Sequence, residues 1–190
     1  MARWEPNARE RLVLAALDLF AEQGYDNTTV SQIANRAGLT KTTFFRHFPD
    51  KREILFAGQE VHSRLLADGV AAAPDSATPL EAVAAALDAL TASFTAEQRE
   101  LGPRLLAVIA DSAELQERAT FKRAALAAAL TSALGEHGVP DLTASLAADL
   151  GARAFDRAFA RWIEPSSQQT FTELAREELQ ALRTAAVALG

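Results

Sequence analysis

The sequence contains no cysteine, so disulfide bonds, cysteine-ligated zinc sites and thiol catalysis are excluded. It has no glycine-rich phosphate loop and no serine nucleophile elbow. His62 and His137 have no second histidine nearby at metal-ligand spacing. Acidic pairs such as Glu177-Glu178 are typical of a solvated helix face. We therefore expect no metal site, no cofactor and no catalytic residue, and predict that the protein is not an enzyme.

Long apolar runs are missing as well. The segments rich in alanine and leucine after Ala71 are interrupted by charges well before the ~20 residues that a membrane span requires. The first residues lack a basic stretch followed by an apolar run, so we expect no signal peptide. These observations predict a cytoplasmic protein that does not enter a membrane.

Helix-forming residues are abundant. No stretch alternates polar and apolar residues with β-branched enrichment, and alanine, the strongest intrinsic helix former, is frequent after Ala71. Hydrophobic residues make up 49% of the chain, enough to bury a core. We predict an all-α protein of about nine helices, with an N-terminal domain in residues 1–55 and a larger helical domain in residues 56–190.

Capping residues, glycines and prolines divide the chain into these helices. Thr29-Val-Ser-Gln32 and Thr170-Phe-Thr-Glu173 have the pattern of a capping box, and Thr40 is a further cap. Gly102-Pro103 is expected to separate two helices, and Gly135 is expected to follow the end of a long one.

The formal net charge is −6, which taken alone argues against a nucleic-acid partner. The distribution of charge favours one. Residues 1–55 carry eight basic and seven acidic side chains, and five basic residues between Arg36 and Arg52 are opposed only by Asp50. A local basic patch on an acidic protein suits a phosphate-binding surface.

The segment Thr29–Lys51, TVSQIANRAGLTKTTFFRHFPDK, has the pattern of two short helices joined by a turn at Gly38. Phe44 and Phe48, four residues apart, would pack the second helix inward. Its other face would then carry side chains that can reach base edges in a DNA major groove. Those side chains are Lys41, Thr42, Thr43 and Arg46. The sequence therefore predicts a helix-turn-helix that binds double-stranded DNA.

The motif AGLTKTTFFRHFPDK, with Leu19-Phe20, Gly24-Tyr25 and Thr28-Thr29 before it, resembles the DNA-binding domain of TetR/AcrR-type repressors over roughly residues 8–58. The resemblance implies phosphate contacts from Thr29, Thr40, Phe45, His47 and Lys51. It implies base contacts from Ser31, Lys41, Thr42 and Thr43.

Two of these positions depart from the family pattern. Phe45 stands where many relatives have tyrosine, and without a hydroxyl it is limited to apolar contact with sugar or a thymine methyl. Ser31 stands where some relatives carry arginine, and it reaches less far. Outside such a motif, Lys41 and Arg46 would be interpreted as solvated charges and His47 as an exposed histidine; within it, DNA contact is the favoured interpretation.

The rest of the chain matches the family by pattern, and Ser112–Leu134 and Ala152–Pro165 resemble actinobacterial members. The resemblance implies a homodimer, in which the last two helices of each subunit form a four-helix interface, and a pocket for a small effector. Expected dimer contacts are Ala147, Leu150, Ala154, Leu174, Leu179, Leu182 and Ala186. Intramolecular packing alone would also explain these apolar positions.

An effector pocket lined by alanine, leucine and phenylalanine suits a largely apolar molecule, such as an acyl chain or an aromatic antibiotic. Expected ligand contacts are Phe94, Arg104, Val108, Phe121, Phe155 and Phe159. The spacing of Phe155, Phe159 and Trp162 also fits an ordinary buried stripe. For Arg104, Arg153 and Arg157, surface salt bridges are favoured over contact with an acidic ligand group.

The resulting hypothesis is a repressor that an effector releases from a palindromic operator. One alternative is a helical small-molecule-binding protein or enzyme with a vestigial DNA-binding domain, which requires a polar cluster in the larger domain that the sequence does not reveal. Another is an architectural DNA-binding protein without a ligand, which requires no apolar cavity.

Overall fold

The computed structural model describes residues 8–56 and 58–189, and helices and their connecting turns account for this part of the chain. The helices are α1 (Ala8–Gln23), α2 (Val30–Arg36), α3 (Lys41–His47), α4 (Glu53–Phe56), α5 (Gln59–Ala71), α6 (Pro79–Thr91), α7 (Ala96–Ala110), α8 (Ala113–Glu136), α9 (Asp141–Trp162) and α10 (Phe171–Val187). The predicted all-α class is confirmed. Helix α5 begins after Gly58, which has φ +112°.

The chain forms two compact units. The first, here called the head, contains residues 8–56 and Pro103–Thr120; the second, called the body, contains Gly58–Gly102 and residues 121–189. The sequence suggested a division near residue 55, but it gave no indication that Pro103–Thr120 belongs with the N-terminal segment.

The head is built around α1, against which α2, α3 and α4 pack. Ile33 of α2 and Phe44 of α3 are fully buried. The buried stripe of α1 consists of Leu12, Ala15, Ala16, Leu17, Leu19 and Phe20. Each large apolar side chain taken out of water contributes roughly 1.5–3 kcal/mol, so these few residues hold three short helices in place.

The body is an alanine-rich bundle. α5 packs on α6, α6 packs on α9 and α10, and α9 packs on α10. Small residues make up most of the buried face of α9. They are Ala144, Ala147, Ala148, Gly151, Ala152, Ala154 and Ala158. Because these side chains are short, neighbouring helices approach α9 closely.

One predicted helix boundary is wrong because of a close contact. Gly102 and Pro103 lie inside α7 rather than between two helices. A Cβ at residue 102 would lie 2.3 Å from Cγ2 of Ile163, so this glycine is required for packing and does not end a helix. Similarly, α8 continues through Gly135 to Glu136, and the left-handed residue after it is Gly138, with φ +89°.

The actual break in this region lies between α6 and α7. The hydroxyls of Thr91 and Ser93 each donate to a carbonyl of the preceding turn, at 2.7 Å. Thr95 then starts α7, because its N–H donates to Gln98 Oε1 at 2.9 Å and its hydroxyl accepts the Gln98 N–H at 3.3 Å. Such side-chain bonds compete with helix continuation at one end and cap the next helix at the other.

Candidate nucleic-acid interface

Both short helices of the predicted helix-turn-helix begin at the expected caps. The Thr29 hydroxyl accepts the Gln32 N–H at 3.2 Å, and Gln32 Oε1 accepts the Thr29 N–H at 2.8 Å, which completes the predicted capping box. Thr40 caps α3 by accepting the Thr43 N–H at 3.1 Å. Each cap satisfies a helix-start N–H that would otherwise lack a partner.

The turn between the two helices depends on Gly38. Its φ of +66° is a conformation that L side chains rarely adopt. Arg11 of α1 donates to the Ala37 carbonyl just before it, and a Cβ at residue 38 would lie 2.7 Å from Arg11 Nη2. The sequence indicated the glycine but not the arginine, because the acceptor of Arg11 is a main-chain oxygen.

Helix α3 buries one face and exposes the other. Phe44 and Phe48 are buried, with ring centroids 5.6 Å apart. The exposed residues of α3 are Lys41, Thr42, Phe45 and Arg46. Phe45 is 48% exposed, and Lys41 Nζ lies 5.9 Å from its ring centroid. The helix thus presents two cations, a hydroxyl and an aromatic ring on its outer side.

The residues with hydroxyl groups around this surface differ in their exposure and in whether the hydroxyl forms a hydrogen bond within the protein. Ser31 and Thr42 are exposed. Thr43 is half-buried, and its hydroxyl lies 3.0 Å from that of Thr40, so the two hydroxyls share a hydrogen bond. The Thr29 hydroxyl donates to Gln32 Oε1 at 2.9 Å. Of these side chains, Thr42 is the one on the outer face of α3.

His47 ends α3 and is half-buried. Its Nε2 atom is buried and has no hydrogen-bond partner among the described residues. Burial, aided by the positive charges of Arg46 and Arg9, lowers the pKa of His47, which favours the neutral imidazole.

The remaining basic residues of this segment have intramolecular partners. Arg36 forms two hydrogen bonds with Glu22, at 2.9 and 2.7 Å. Arg52 pairs with Asp50 at 3.0 Å. Lys51 Nζ donates to the main-chain oxygens of the loop that follows α1. Lys41 and Arg46 are the basic residues on the exposed face of α3.

The six expected ligand contacts do not form one group. Arg104 and Val108 belong to the head, where Arg104 pairs with Asp18 and Val108 lines a small cavity with Phe20 and Tyr25. The other four belong to the body. The ion pair of Arg104 is the salt bridge that the sequence favoured for it.

Three of the body residues lie in one aromatic cluster, which is centred on Phe94 and includes Phe155 and Phe159. Five ring centroids lie within 5.1–6.3 Å of the Phe94 ring, and they belong to His62, Phe155, Phe159, Trp162 and Phe171. Phe155 and Phe159 are half-buried, whereas Phe121 is 59% exposed. The aromatic stripe of α9 therefore packs against other rings, as the alternative interpretation of its spacing expected.

The expected dimer contacts are divided between the interior and the surface of the body. Four of them, Ala147, Ala154, Leu174 and Leu179, are at most 5% exposed in the single chain. Leu150 and Leu182 are half-buried and Ala186 is exposed. Intramolecular packing accounts for the first four residues.

A charged cluster links α9 to α10. The Glu178 side chain is 5% exposed and accepts hydrogen bonds from Arg157 and Arg161. Burial raises the pKa of Glu178, but the two arginines outweigh it, so the pKa lies below its ordinary value. For Arg157, this ion pair is the salt bridge that the sequence favoured.

Within residues 8–56 and 58–189, no helix combines the length and the apolarity that crossing a bilayer demands. In the same residues, no group of three acidic or histidine side chains converges in a way that would hold a metal ion.

Residues 12–57 match the protein family described as "Bacterial regulatory proteins, tetR family". The match covers the N-terminal segment of the head and less than half of the chain, and over this segment the chain is similar to the tetR family. The resemblance predicted from AGLTKTTFFRHFPDK is confirmed over this segment, which contains α1 to α4 and both caps of the helix-turn-helix.

Named transcriptional regulators match part of the chain. The chain is 35% identical over 82 residues to the HTH-type transcriptional regulator TcmR of Streptomyces glaucescens, a match that covers 43% of this chain and 36% of TcmR. It is 37% identical over 95 residues to the regulator BetI of Rhizobium meliloti, covering 50% of this chain and 45% of BetI. The chain therefore spans less than half the length of either relative.

Solved structures extend the likeness of fold to more than nine-tenths of the chain. A putative TetR-family regulator from Syntrophomonas wolfei has a TM-score of 0.57 at 19% identity, covering 95% of both chains. The regulator FadR from Bacillus subtilis, solved in complex with stearoyl-CoA, has a TM-score of 0.55 at 21% identity, covering 91% of this chain and 96% of that one. At these identities the likeness concerns the fold.

Proposed function

We propose that this protein is a ligand-responsive transcriptional regulator that binds a palindromic operator as a homodimer and represses transcription until an effector releases it. One observation carries the proposal. Helix α3 buries Phe44 and Phe48 and leaves Lys41, Thr42, Phe45 and Arg46 exposed on its outer face. That combination of charge, hydroxyl and apolar surface suits the edges of bases in a major groove.

Each exposed residue of α3 has a distinct chemical use in this proposal. Lys41 donates hydrogen bonds to guanine O6 or N7, and Thr42 offers a hydroxyl to a base or a methyl group to thymine. Phe45 has no hydroxyl for a phosphate, so it packs on sugar or on a thymine methyl. Thr29, Thr40 and His47 border this surface and supply phosphate contacts, with Ser31 and Thr43 toward the bases.

We infer a homodimer because α3, the helix proposed to contact the bases, is short. A single seven-residue helix contacts too few base pairs for useful specificity. Two copies whose recognition helices lie about 34–36 Å apart read successive major grooves on one face of the duplex. The half-buried and exposed positions Leu150, Leu182 and Ala186 remain available for contacts between subunits.

For the effector we propose a largely apolar molecule that carries an acyl chain. The aromatic cluster around Phe94 gives the body a concentrated apolar surface, with Phe155 and Phe159 half-buried at its edge. The structurally similar FadR of B. subtilis was solved with stearoyl-CoA. An effector that binds one arrangement of the protein more tightly shifts its DNA affinity by the same coupling free energy, typically 1–3 kcal/mol.

Gel-shift titration of the purified protein on the promoter of its own gene and of the adjacent gene tests the DNA-binding proposal. We expect a specific complex at sub-micromolar dimer and low salt, and its loss in Lys41→Ala. The absence of a specific complex at micromolar protein would contradict the proposal.

Addition of stearoyl-CoA to the same complex tests the effector class, with free coenzyme A as the control. We expect release of DNA and a rise in melting temperature with stearoyl-CoA only, because a ligand that binds the folded state stabilises it. In a transcription assay in vitro, the regulator alone should lower transcript yield. An increase would instead identify an activator.

A further inference from the structure

The Lys51 side chain packs against the loop between α1 and α2 and does not lie on the exposed face of α3. Its Nζ donates to the Tyr25 carbonyl at 2.7 Å and to the Thr28 carbonyl at 3.0 Å. The same atom lies 3.8 Å from the centroid of the Tyr25 ring. The ammonium therefore contacts the loop of residues 24–28 through two hydrogen bonds and a cation–π interaction.

This loop connects α1 to α2. Tyr25 is 5% exposed and Thr28 is 2% exposed. The Thr28 hydroxyl donates to the Gly24 carbonyl at 2.8 Å, and the Tyr25 hydroxyl donates to Glu114 at 3.0 Å. Thr29, the cap of α2, follows directly, so the position of its side chain depends on how this loop is held.

Removing the ammonium would take from the Thr28 carbonyl the donor that Lys51 supplies. The Tyr25 carbonyl also accepts the Thr28 N–H at 3.1 Å, whereas the Thr28 carbonyl accepts from Lys51. A buried carbonyl that loses its donor is costly, so the loop would rearrange to reach water.

To contact a phosphate, Lys51 would have to break its hydrogen bonds to the Tyr25 and Thr28 carbonyls. The side chain is half-buried, in contrast to the exposed Lys41 on α3. Burial lowers the pKa of Lys51, although the charges of Glu114 and Asp26 oppose this. Both the geometry and the burial favour an inward role for this lysine.

We propose that Lys51 is a positioning residue: it fixes the loop of residues 24–28 and so places Thr29 against the DNA backbone, instead of neutralising a phosphate itself. The proposal rests on the proposed DNA-binding function. It departs from the phosphate contact that the family resemblance implies for this position.

Lys51→Met tests the proposal through the salt dependence of DNA binding. We expect operator affinity to fall about tenfold, as when a buried polar group loses its partner. The slope of log affinity against log salt should stay unchanged. Loss of a phosphate contact would instead flatten that slope by about 0.9 for each contact. Lys51→Gln, which keeps an N–H donor without the charge, should bind the operator more tightly than Lys51→Met.

Hydrogen exchange of the DNA-free protein gives a second readout that does not depend on the proposed function. Lys51→Met should accelerate exchange of the Thr28 and Gln32 amides at least tenfold, as expected where local opening becomes easier. Lys41→Met is the control, because it removes an exposed charge that contacts the Phe45 ring rather than the loop. It should leave these two amides unchanged.

Thr29→Ala separates positioning from a general loss of stability. Alone, it should weaken operator binding; combined with Lys51→Met, it should add little, because the Thr29 side chain is already displaced. Full additivity would overturn the proposal, as would a flatter salt slope in Lys51→Met or unchanged exchange of Thr28 and Gln32. If the wild-type protein bound no operator while Lys51→Met still accelerated exchange, the proposed function would fail and the structural role of Lys51 would stand.

Discussion

The head and the body of this protein are stabilised in different ways. In the head, short helices are fixed by individual polar contacts, such as the Thr29 and Thr40 caps and the Arg11 bond to the Ala37 carbonyl. In the body, long alanine-rich helices pack through small side chains and one cluster of aromatic rings around Phe94. The polar contacts of the head fix the positions of individual surface residues. The apolar packing of the body holds its helices together and places fewer constraints on its surface residues.

The largest expected effect is that of Phe44→Ala in the head. This side chain is fully buried, and truncating a buried phenylalanine costs about 3–5 kcal/mol. Urea unfolding followed by circular dichroism should show an early transition of the head, and operator binding should be lost. Phe45→Ala is the matched control, because the exposed ring next to it should change stability by about 0.5 kcal/mol or less. Equal losses of stability in both variants would contradict the division between a buried and an exposed face.

A comparable disruption of the body is expected from Phe94→Ala. The ring is half-buried, so we expect a cost of about 2–3 kcal/mol, below the range for a fully buried phenylalanine. The fluorescence of Trp162, whose ring centroid lies 6.0 Å from that of Phe94, should report the change. Phe121→Ala, on the exposed surface, should have little effect. A loss of stability from Phe121→Ala as large as that from Phe94→Ala would count against the cluster as the centre of the body.

Lys41→Ala should change function and leave stability alone. If Lys41 contacts a base, operator affinity should fall by about 1–3 kcal/mol, measured by fluorescence anisotropy at fixed salt. The unfolding midpoint in urea should match that of the wild type, because the side chain is exposed. Lys122→Ala in the body removes the same charge and should preserve affinity. Equal weakening by both variants would indicate a general charge effect.

The smallest expected effect is that of Glu178→Gln, which probes the polar contact between α9 and α10. The pKa of Glu178 is lowered in the folded protein, so the ionised carboxylate stabilises the fold above the unfolded pKa of about 4.3. This contribution is lost as the pH falls through the folded pKa. We expect the variant to be about 1 kcal/mol less stable at pH 7, because both arginine partners are largely exposed. The difference should shrink toward pH 3, and a difference that grows toward acid would reverse the sign of the argument.

The sequence predicted the head well because its signals are local. A threonine followed three residues later by glutamine identified the cap at Thr29, and Gly38 identified the turn. The same pattern at Thr95 and Gln98 marks the start of α7, and the boundary predicted at Gly102-Pro103 is wrong. Proximity to Ile163 explains Gly102, and a contact that distant in sequence leaves no local pattern.

Two features could not be predicted from the sequence: the hydrogen-bond acceptors of Arg11 and Lys51, and the partners of the small-residue stripes on α9 and α10. The acceptors of Arg11 and Lys51 are main-chain oxygens, which every residue possesses, so no partner residue marks them in the sequence. Stripes of small apolar residues on α9 and α10 fit a neighbouring helix of the same chain as well as one of another subunit. Ala147 and Leu174 are buried within the chain, which their spacing alone did not reveal.

The inclusion of Pro103–Thr120 in the head has a practical consequence for fragment design. From this second segment, Leu115 is fully buried, and Arg118 pairs with Glu53. A polypeptide truncated after residue 57 would lack these contacts and expose apolar surface, so it should aggregate or fold weakly. Supplying residues 103–120 as a separate peptide should restore its helicity in trans.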